Sequence, residues 1–278
     1  MKRIFTLGIA LCTLITGFSQ TDTTTSKQPE GDTIRIGGMI IIRKPGSRDR
    51  EVVRDKEYRM RNRRGDKPSN ISTNWWIVDI GFSNYSDQSD YAAAAASGFI
   101  DPAIGKDELK AKGGKSRNVN LWFFMQKLNV AKRVLNLKYG LGLELNNYHF
   151  DNDRVMFAKN PTYISLGSDD YKKVKLAADY LTVPVMLNFD FTPERRRGFG
   201  FSAGISAGYL YSARYKTKEG GDVNKVKDDF NLERFKLSYI GEISLGPVRL
   251  YGSYAMKNMW EKGLDMTPYN IGFRLSNW

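Results

Sequence analysis

The sequence has almost no cysteine or histidine. Cys12 and His149 are the single representatives of their residue types. Cys12 falls in an N-terminal segment that we expect to be removed, which leaves a chain without thiols and therefore without disulfides, thiol nucleophiles or cysteine metal sites. One histidine is too few for an ordinary transition-metal site. We therefore expect no metal and no other cofactor.

Long apolar runs are confined to the N-terminus. Two basic residues precede the apolar run Ile4–Phe18, and Gly17 and Ser19 supply small residues before a cleavage point. This pattern is typical of a secretory signal peptide, so we predict that residues 1–20 are one. The run is short for a membrane anchor and is followed at once by polar residues, and no later stretch is long and apolar enough for a membrane helix.

Negative charge is also in short supply. The chain has 43 Lys and Arg against 30 Asp and Glu, a formal net charge of +13. The excess is concentrated in residues 43–67, with eleven basic against five acidic side chains. We predict that residues 21–72 form a flexible, basic extension, with a short β segment at 33–44 and Gly37-Gly38 as its kink or turn.

From Trp75 onward, apolar and polar residues alternate in segments separated by turn residues. Residues 134–148 are the clearest example, since leucines and a tyrosine at odd positions alternate with polar residues and glycines at even positions. A period of two predicts β-strands. The segments are 75–84, 119–128, 134–148, 178–191, 198–212, 234–245, 248–256 and 269–278.

Alternation alone allows either a soluble β-sandwich or a membrane barrel, and the polar faces favour the barrel. The second face of 198–212 is nearly all Gly and Ser, which suits the narrow interior of a small closed barrel better than a solvated sheet. The other inner faces carry charges of both signs, which can pair across a polar lumen. The predicted luminal charge network is Asp79, Lys138, Glu144, Asp190, Glu242, Arg249 and Arg274.

The connections between the segments alternate long and short. The long ones are 85–117, 149–177, 213–233 and 257–268. Long outer loops, short periplasmic turns and periplasmic termini are the plan of an outer-membrane barrel, whereas a sandwich has no reason to alternate in this way. We therefore predict an all-β fold, a closed antiparallel up-and-down transmembrane β-barrel of about eight strands over residues 73–278, integral to the outer membrane.

This location implies partners. Outer-membrane lipid, lipopolysaccharide and the barrel-insertion machinery are expected, and nucleic acid is not. The basic residues of the extension and of one short turn favour an acidic periplasmic protein or cell-wall polymer, although simple solubility would also account for them. The candidate contacts are Arg59, Arg61, Arg63, Arg64, Arg195, Arg196 and Arg197.

Three stretches resemble a known family. Tyr180–Leu187 (YLTVPVML), the Gly/Ala-rich Phe199–Tyr211 and the closing Ile271–Leu275 are similar to the PorT-like outer-membrane β-barrel family of Bacteroidota. The resemblance covers about residues 75–278. It implies an integral outer-membrane protein without assigned chemistry, in a family whose name-giving member is linked to protein secretion; no motif here carries that role over.

The sequence favours a non-enzymatic structural or interaction platform of the envelope, with two alternatives. One is a small, gated, porin-like pore lined by the luminal charges, although an eight-stranded interior is normally filled by side chains. The other is a lipid-modifying enzyme using His149, which is predicted to lie on the lipid-facing side at the outer end of the third strand, with no serine two residues on. Pro184 removes a ladder donor, so we predict a bulge or bend there.

Overall fold

The computed structural model describes residues 69–168, 171–193 and 198–276, together with the backbone of two short strands near the N-terminus. The chain divides into two units, Met1–Asp66 and Lys67–Trp278. In the first unit, β1 (Thr33–Ile36) pairs with β2 (Met39–Ile42) as an antiparallel hairpin in which Ile36 lies opposite Met39.

Among its described residues, the second unit is nearly all β-structure with one short helix. Its elements are β3 (Ile71–Asp87), α1 (Tyr91–Ala96), β4 (Arg117–Ala131), β5 (Leu135–His149), β6 (Val155–Ala158), β7 (Tyr163–Leu166), β8 (Lys173–Asp190), β9 (Phe199–Glu219), β10 (Asp222–Lys227), β11 (Phe235–Leu245), β12 (Val248–Ala255) and β13 (Met266–Leu275). Within the described ranges, no helix is long and apolar enough to cross a membrane.

Eight of these strands close a ring. The order is β3-β4-β5-β8-β9-β11-β12-β13, every neighbouring pair is antiparallel, and β13 pairs back onto β3 from Met266 opposite Asp87 to Leu275 opposite Val78. Closure gives every wall strand two paired neighbours, so the sheet has no open edge in hydrocarbon. The predicted eight-stranded, closed, antiparallel barrel is confirmed.

The barrel is apolar outside and polar inside, the reverse of a soluble protein. On β8 the exposed Leu181, Val183, Val185 and Leu187 alternate with buried residues. The other wall strands expose Ile80, Phe82, Phe199, Phe201, Ile205, Tyr239, Ile243, Ile271 and Phe273 in the same way. The aromatic side chains of Trp75, Trp76, Tyr209 and Tyr211 are also about half exposed or more, between 48% and 75%.

A β-bulge in β4 explains why the second segment alternates poorly. Trp122 pairs with Gly142 but Phe124 pairs with Leu141, so Phe123 is the extra residue. The inward side therefore changes from even to odd positions, and Met125 is fully buried. Unbroken alternation from Asn118 and Asn120 would place Gln126 inside, but it lies beyond the bulge and faces outward.

Pro184 produces an interruption rather than a bulge. The β5–β8 pairing passes from Tyr139 opposite Val185 to Gly142 opposite Thr182 without a change of register. On its other side, Pro184 pairs regularly opposite Ser206. The one register shift of the β8–β9 pairing lies between Asp179 and Tyr180, where the extra residue is Tyr211 on β9. Because proline has no backbone N–H, the β5–β8 ladder opens locally at Pro184. The intact pairs on either side of the opening hold the register.

The connections place the short turns at one end of the barrel and the long segments at the other. β4–β5, β8–β9 and β11–β12 are joined at the short-turn end. The long connections follow β3, β5, β9 and β12, and they contain α1, the β6–β7 hairpin and β10. We call this second end the loop end.

Candidate functional site: a filled lumen under a loop cap

The centre of the lumen holds a bidentate ion pair across the closing seam. Arg274 and Asp79 are directly opposite on β13 and β3. The arginine Nε and Nη2 donate to the two carboxylate oxygens of Asp79, each at 2.7 Å. Asp79 also accepts from Trp122 Nε1 at 2.7 Å and Asn120 Nδ2 at 3.1 Å. A fully buried carboxylate is thus saturated with donors, the condition under which a buried ion pair is tolerated.

The same arginine extends this pair across the barrel. Arg274 Nη1 donates to Glu242 on β11, and Lys138 Nζ on β5 donates to that carboxylate at 2.6 Å. Asp79, Arg274, Glu242 and Lys138 therefore form a chain with two charges of each sign, linking the seam to two other strands. We call it the central network; it fixes strands far apart in sequence to one another through side chains alone.

A second polar layer lies nearer the loop end. Glu144 accepts from Lys236 Nζ, from Asn146 Nδ2 at 3.0 Å and from Asn270 Nδ2 at 3.1 Å. Ser83 donates to Asn270 at 2.7 Å. This layer joins β5, β11, β13 and β3, and it too balances one acid with one base.

The remaining two predicted residues lie near the short-turn end. Asp190 pairs with Lys127 at 3.1 Å, and Arg249 donates to the hydroxyl of Ser276. The structure thus brings four of the seven predicted charges into the central network and places Glu144 in the layer above.

Sequence reasoning missed two lysines of the lumen. Lys236 stands between outward-facing Phe235 and Leu237, so the alternation of its own segment could have identified it as inward. Lys127 could not be found in that way, because the bulge at Phe123 reverses the alternation that precedes it.

The space between the layers is small. A cavity of about 30 Å³ lies against Trp122, Glu144, Thr182, Met186 and Arg274. That volume accommodates about one water molecule. The hydroxyls of Thr182 and Ser238 are buried without a partner among the described residues. Side chains therefore fill the lumen at the level of these two layers.

An apolar cluster covers the loop end. Phe157 on β6 stacks on Trp260 with ring centroids 5.9 Å apart and also contacts Phe150, Tyr215 and Phe230. The buried residues of this loop cap include Phe99, Ile100, Ile104, Leu109, Phe150, Val155, Phe157, Ile164, Phe230, Leu232, Met259, Trp260 and Leu264. They come from all four long connections, so the loops fold together as a lid on the barrel.

Backbone hydrogen bonds connect the loops of the cap. Ile164 N–H donates to the Phe99 carbonyl at 3.0 Å, which joins the first long connection to the second. Glu233 N–H donates to the Met259 carbonyl at 2.8 Å, which joins the third to the fourth. The helix α1 is held at its N-terminus by Asp90, whose carboxylate accepts from Ala93 N–H at 3.0 Å.

His149 is not at a lipid-facing surface. It ends β5 on the outward parity, as expected, but only 7% of it is exposed, because the first long connection folds over it. Ser116 Oγ accepts from the backbone N–H of His149 at 3.0 Å, and Lys112 N–H donates to its carbonyl at 2.6 Å. These contacts hold the strand end by its backbone, so they do not make a serine–histidine pair.

The remaining predictions concern the basic contacts and the capacity of the chain to hold a metal ion. The seven candidate basic contacts lie outside the described residues, namely Arg59, Arg61, Arg63, Arg64, Arg195, Arg196 and Arg197. Within the described ranges, no group of three or more His, Cys, Asp or Glu side chains is arranged to hold a metal ion.

An antiparallel ring with an apolar exterior and a polar, salt-bridged interior defines an integral outer-membrane β-barrel protein. The family model described as outer membrane protein beta-barrel domain matches residues 81–257, more than half of the chain. The chain belongs to this family, and its location is the outer membrane. No curated protein matches the chain.

Proposed function

We propose that the protein is a non-conducting, non-enzymatic platform that presents its loop end outside the cell and its termini in the periplasm. The observation that carries this proposal is the double obstruction of the lumen, by the central network within the barrel and by the loop cap above it. A barrel blocked twice by well-packed side chains is suited to holding surfaces in place rather than to passing solutes.

The orientation follows from the lengths of the connections. Outer-membrane barrels keep short turns in the periplasm and long loops outside. With this orientation, residues 1–20 act as the signal peptide and residues 21–72 are a periplasmic arm that offers basic contacts to an acidic protein or wall polymer. The resemblance of the strand Tyr180–Leu187 supports membership of the PorT-like group, and the proposed envelope or secretion association follows from that group alone, since no motif of this chain carries it.

Planar-bilayer recording tests the proposal. The wild-type barrel should give no steady openings. A variant that weakens both obstructions, Arg274→Gln with Phe157→Ala and Trp260→Ala, should give measurable conductance and so serves as the positive control. Steady wild-type openings of the same size would overturn the platform and favour a gated pore.

The enzymatic alternative has its own test. His149→Ala should leave the lipid A composition of the outer membrane unchanged, because the described contacts of His149 hold a strand end. A changed acyl pattern in that variant, restored by wild-type protein, would contradict the non-enzymatic assignment.

A further inference from the structure

A ribbon of three strands continues the barrel wall beyond its lipid-facing band. The outward apolar side chains of β8 and β9 end at Leu181 and Tyr211. Past them, residues 173–178 of β8 and 213–219 of β9 stay paired, and β10 adds a third strand from Lys227 opposite Arg214 to Asp222 opposite Glu219. We call these three segments the basic ribbon.

The two faces of the basic ribbon differ completely. On its inner face Val174, Leu176 and Tyr215 are buried in the same apolar cluster as the loop cap, and Thr217 is buried beside them. Alternation therefore turns the lysines outward, on the same side of the wall as the lipid-facing residues below. Six lysines occupy this outer face, namely Lys173, Lys175, Lys216, Lys218, Lys225 and Lys227.

The lysines lie in register with one another. Lys175 is directly opposite Lys216, and Lys216 is directly opposite Lys225, so three ammonium groups share one row across three strands. Lys173 is opposite Lys218 in the next row. Like charges placed directly opposite each other destabilise a sheet.

Counter-charges are scarce at this surface. In the described part of the chain, none of the six lysines forms a salt bridge with a carboxylate. The nearby carboxylate of Asp179 already accepts from Arg214. Partial desolvation and then the positive charges of Lys227, Lys216 and Arg214 lower the pKa of Lys225. The arrangement is complementary to an external polyanion.

The position of the basic ribbon on the barrel wall, and the face on which its lysines lie, identify the class of anion. The ribbon stands immediately above Tyr209 and Tyr211, aromatic residues at the level where a barrel meets lipid headgroups. Its lysines lie on the outer face of the wall, on the side that faces lipid lower down the barrel. We propose that the basic ribbon binds the phosphate groups of an anionic glycolipid of the outer leaflet; this rests on the outward orientation of the loop end proposed above.

Lipid binding tests this proposal on the full-length barrel in detergent. Native mass spectrometry would titrate it with bis-phosphorylated lipid A and with the same lipid A after removal of both phosphates. The test variant is Lys175→Gln, Lys216→Gln and Lys225→Gln. The control variant, Lys110→Gln, Lys257→Gln and Lys262→Gln, removes the same charge from exposed lysines of the loop end.

The wild-type and control proteins should prefer the phosphorylated lipid, and the test variant should bind it roughly tenfold or more weakly. Added salt should remove the difference. Equal affinity for both lipids, or equal affinity of test and control variants, would overturn the proposal. Preferential capture of a soluble polyphosphate over lipid A would also overturn it, in favour of a soluble polymer.

A separate experiment tests whether the loop end faces the outside of the cell, independently of lipid binding. Gly221 is exposed at the tip between β9 and β10, with open space around it, so Gly221→Cys provides a single label site. A membrane-impermeant maleimide should label this variant in intact cells. Labelling only after lysis would refute the proposed orientation, whatever the lipid affinity measured in detergent.

Discussion

At the residue scale, Arg274 is the side chain on which the lumen depends. It contacts both carboxylates of the central network, Asp79 and Glu242, and its guanidinium lies over the Trp122 ring at 5.5 Å. Breaking a buried pair from one side leaves an uncompensated charge, which costs far more than the pair contributes when intact.

Replacing Arg274 should therefore destabilise the barrel strongly. We expect Arg274→Met to lower the free energy of unfolding by about 3–5 kcal/mol, because two buried carboxylates lose their shared cation. Urea unfolding in lipid vesicles, followed by tryptophan fluorescence, measures the change.

The matched control is an exposed arginine pair at the loop end. Arg234 pairs with Asp229 with side-chain exposures of 61% and 45%. Arg234→Met should cost less than about 1 kcal/mol. Similar, small effects of both substitutions would show that the central network contributes little to stability.

Two glycines allow the backbones of β3 and β13 to approach closely at the closing seam. Gly81 and Gly272 are directly opposite on β3 and β13, and Tyr251 packs against them. A Cβ on Gly272 would lie 2.4 Å from Gly81 Cα and from the Ile80 carbonyl oxygen. Gly272→Ala should therefore cost about 1–3 kcal/mol through overpacking, visible as a lower urea midpoint.

The neighbouring strand offers a control for that substitution. A Cβ on Gly252 would meet its nearest atom at 3.5 Å, an ordinary contact. Gly252→Ala should leave the urea midpoint almost unchanged. If the two alanine variants unfold alike, close approach of the backbones at the seam is not what requires glycine.

At the element scale, the loop cap is held by β6. Phe157 contacts aromatic rings from the second, third and fourth long connections. We expect Phe157→Ala to loosen the cap by about 3–5 kcal/mol, so that limited proteolysis cuts the long connections while the barrel strands stay protected.

The adjacent residue is the control for the cap. Met156 is 36% exposed on the other face of β6, so Met156→Ala should change proteolysis little. Equal cleavage of both variants would mean that the stacked rings do not hold the loops together.

Several elements lay beyond what their own sequence could predict. Residues 213–233 were interpreted as a loop, which is wrong, because β9 continues to Glu219 and β10 follows. Repulsion between the opposed lysines disfavours pairing of these strands. Burial of Tyr215 in the loop cap outweighs this repulsion. In contrast, Leu135–Leu145 required no tertiary information, since its alternation is unbroken.

At the scale of the whole molecule, closure and inverted polarity make the barrel a unit. We expect an unboiled sample to migrate differently from a boiled one on SDS gels of the outer-membrane fraction, because a closed ring without free edges resists detergent. The Arg274→Met variant should lose this difference at a lower temperature. A folded chain dissolved without detergent would contradict the membrane barrel.

The sequence by itself determined which residues face lipid and which face inward on most strands, because a strand's period of two is a local property. It also placed the charges Asp79, Lys138, Glu242 and Arg274 inside. Only the tertiary structure decided that these four meet, since Asp79 and Arg274 are 195 residues apart and touch only when β13 closes on β3. The loop cap and the basic ribbon were decided in the same way, because they depend on packing between connections that share no local pattern.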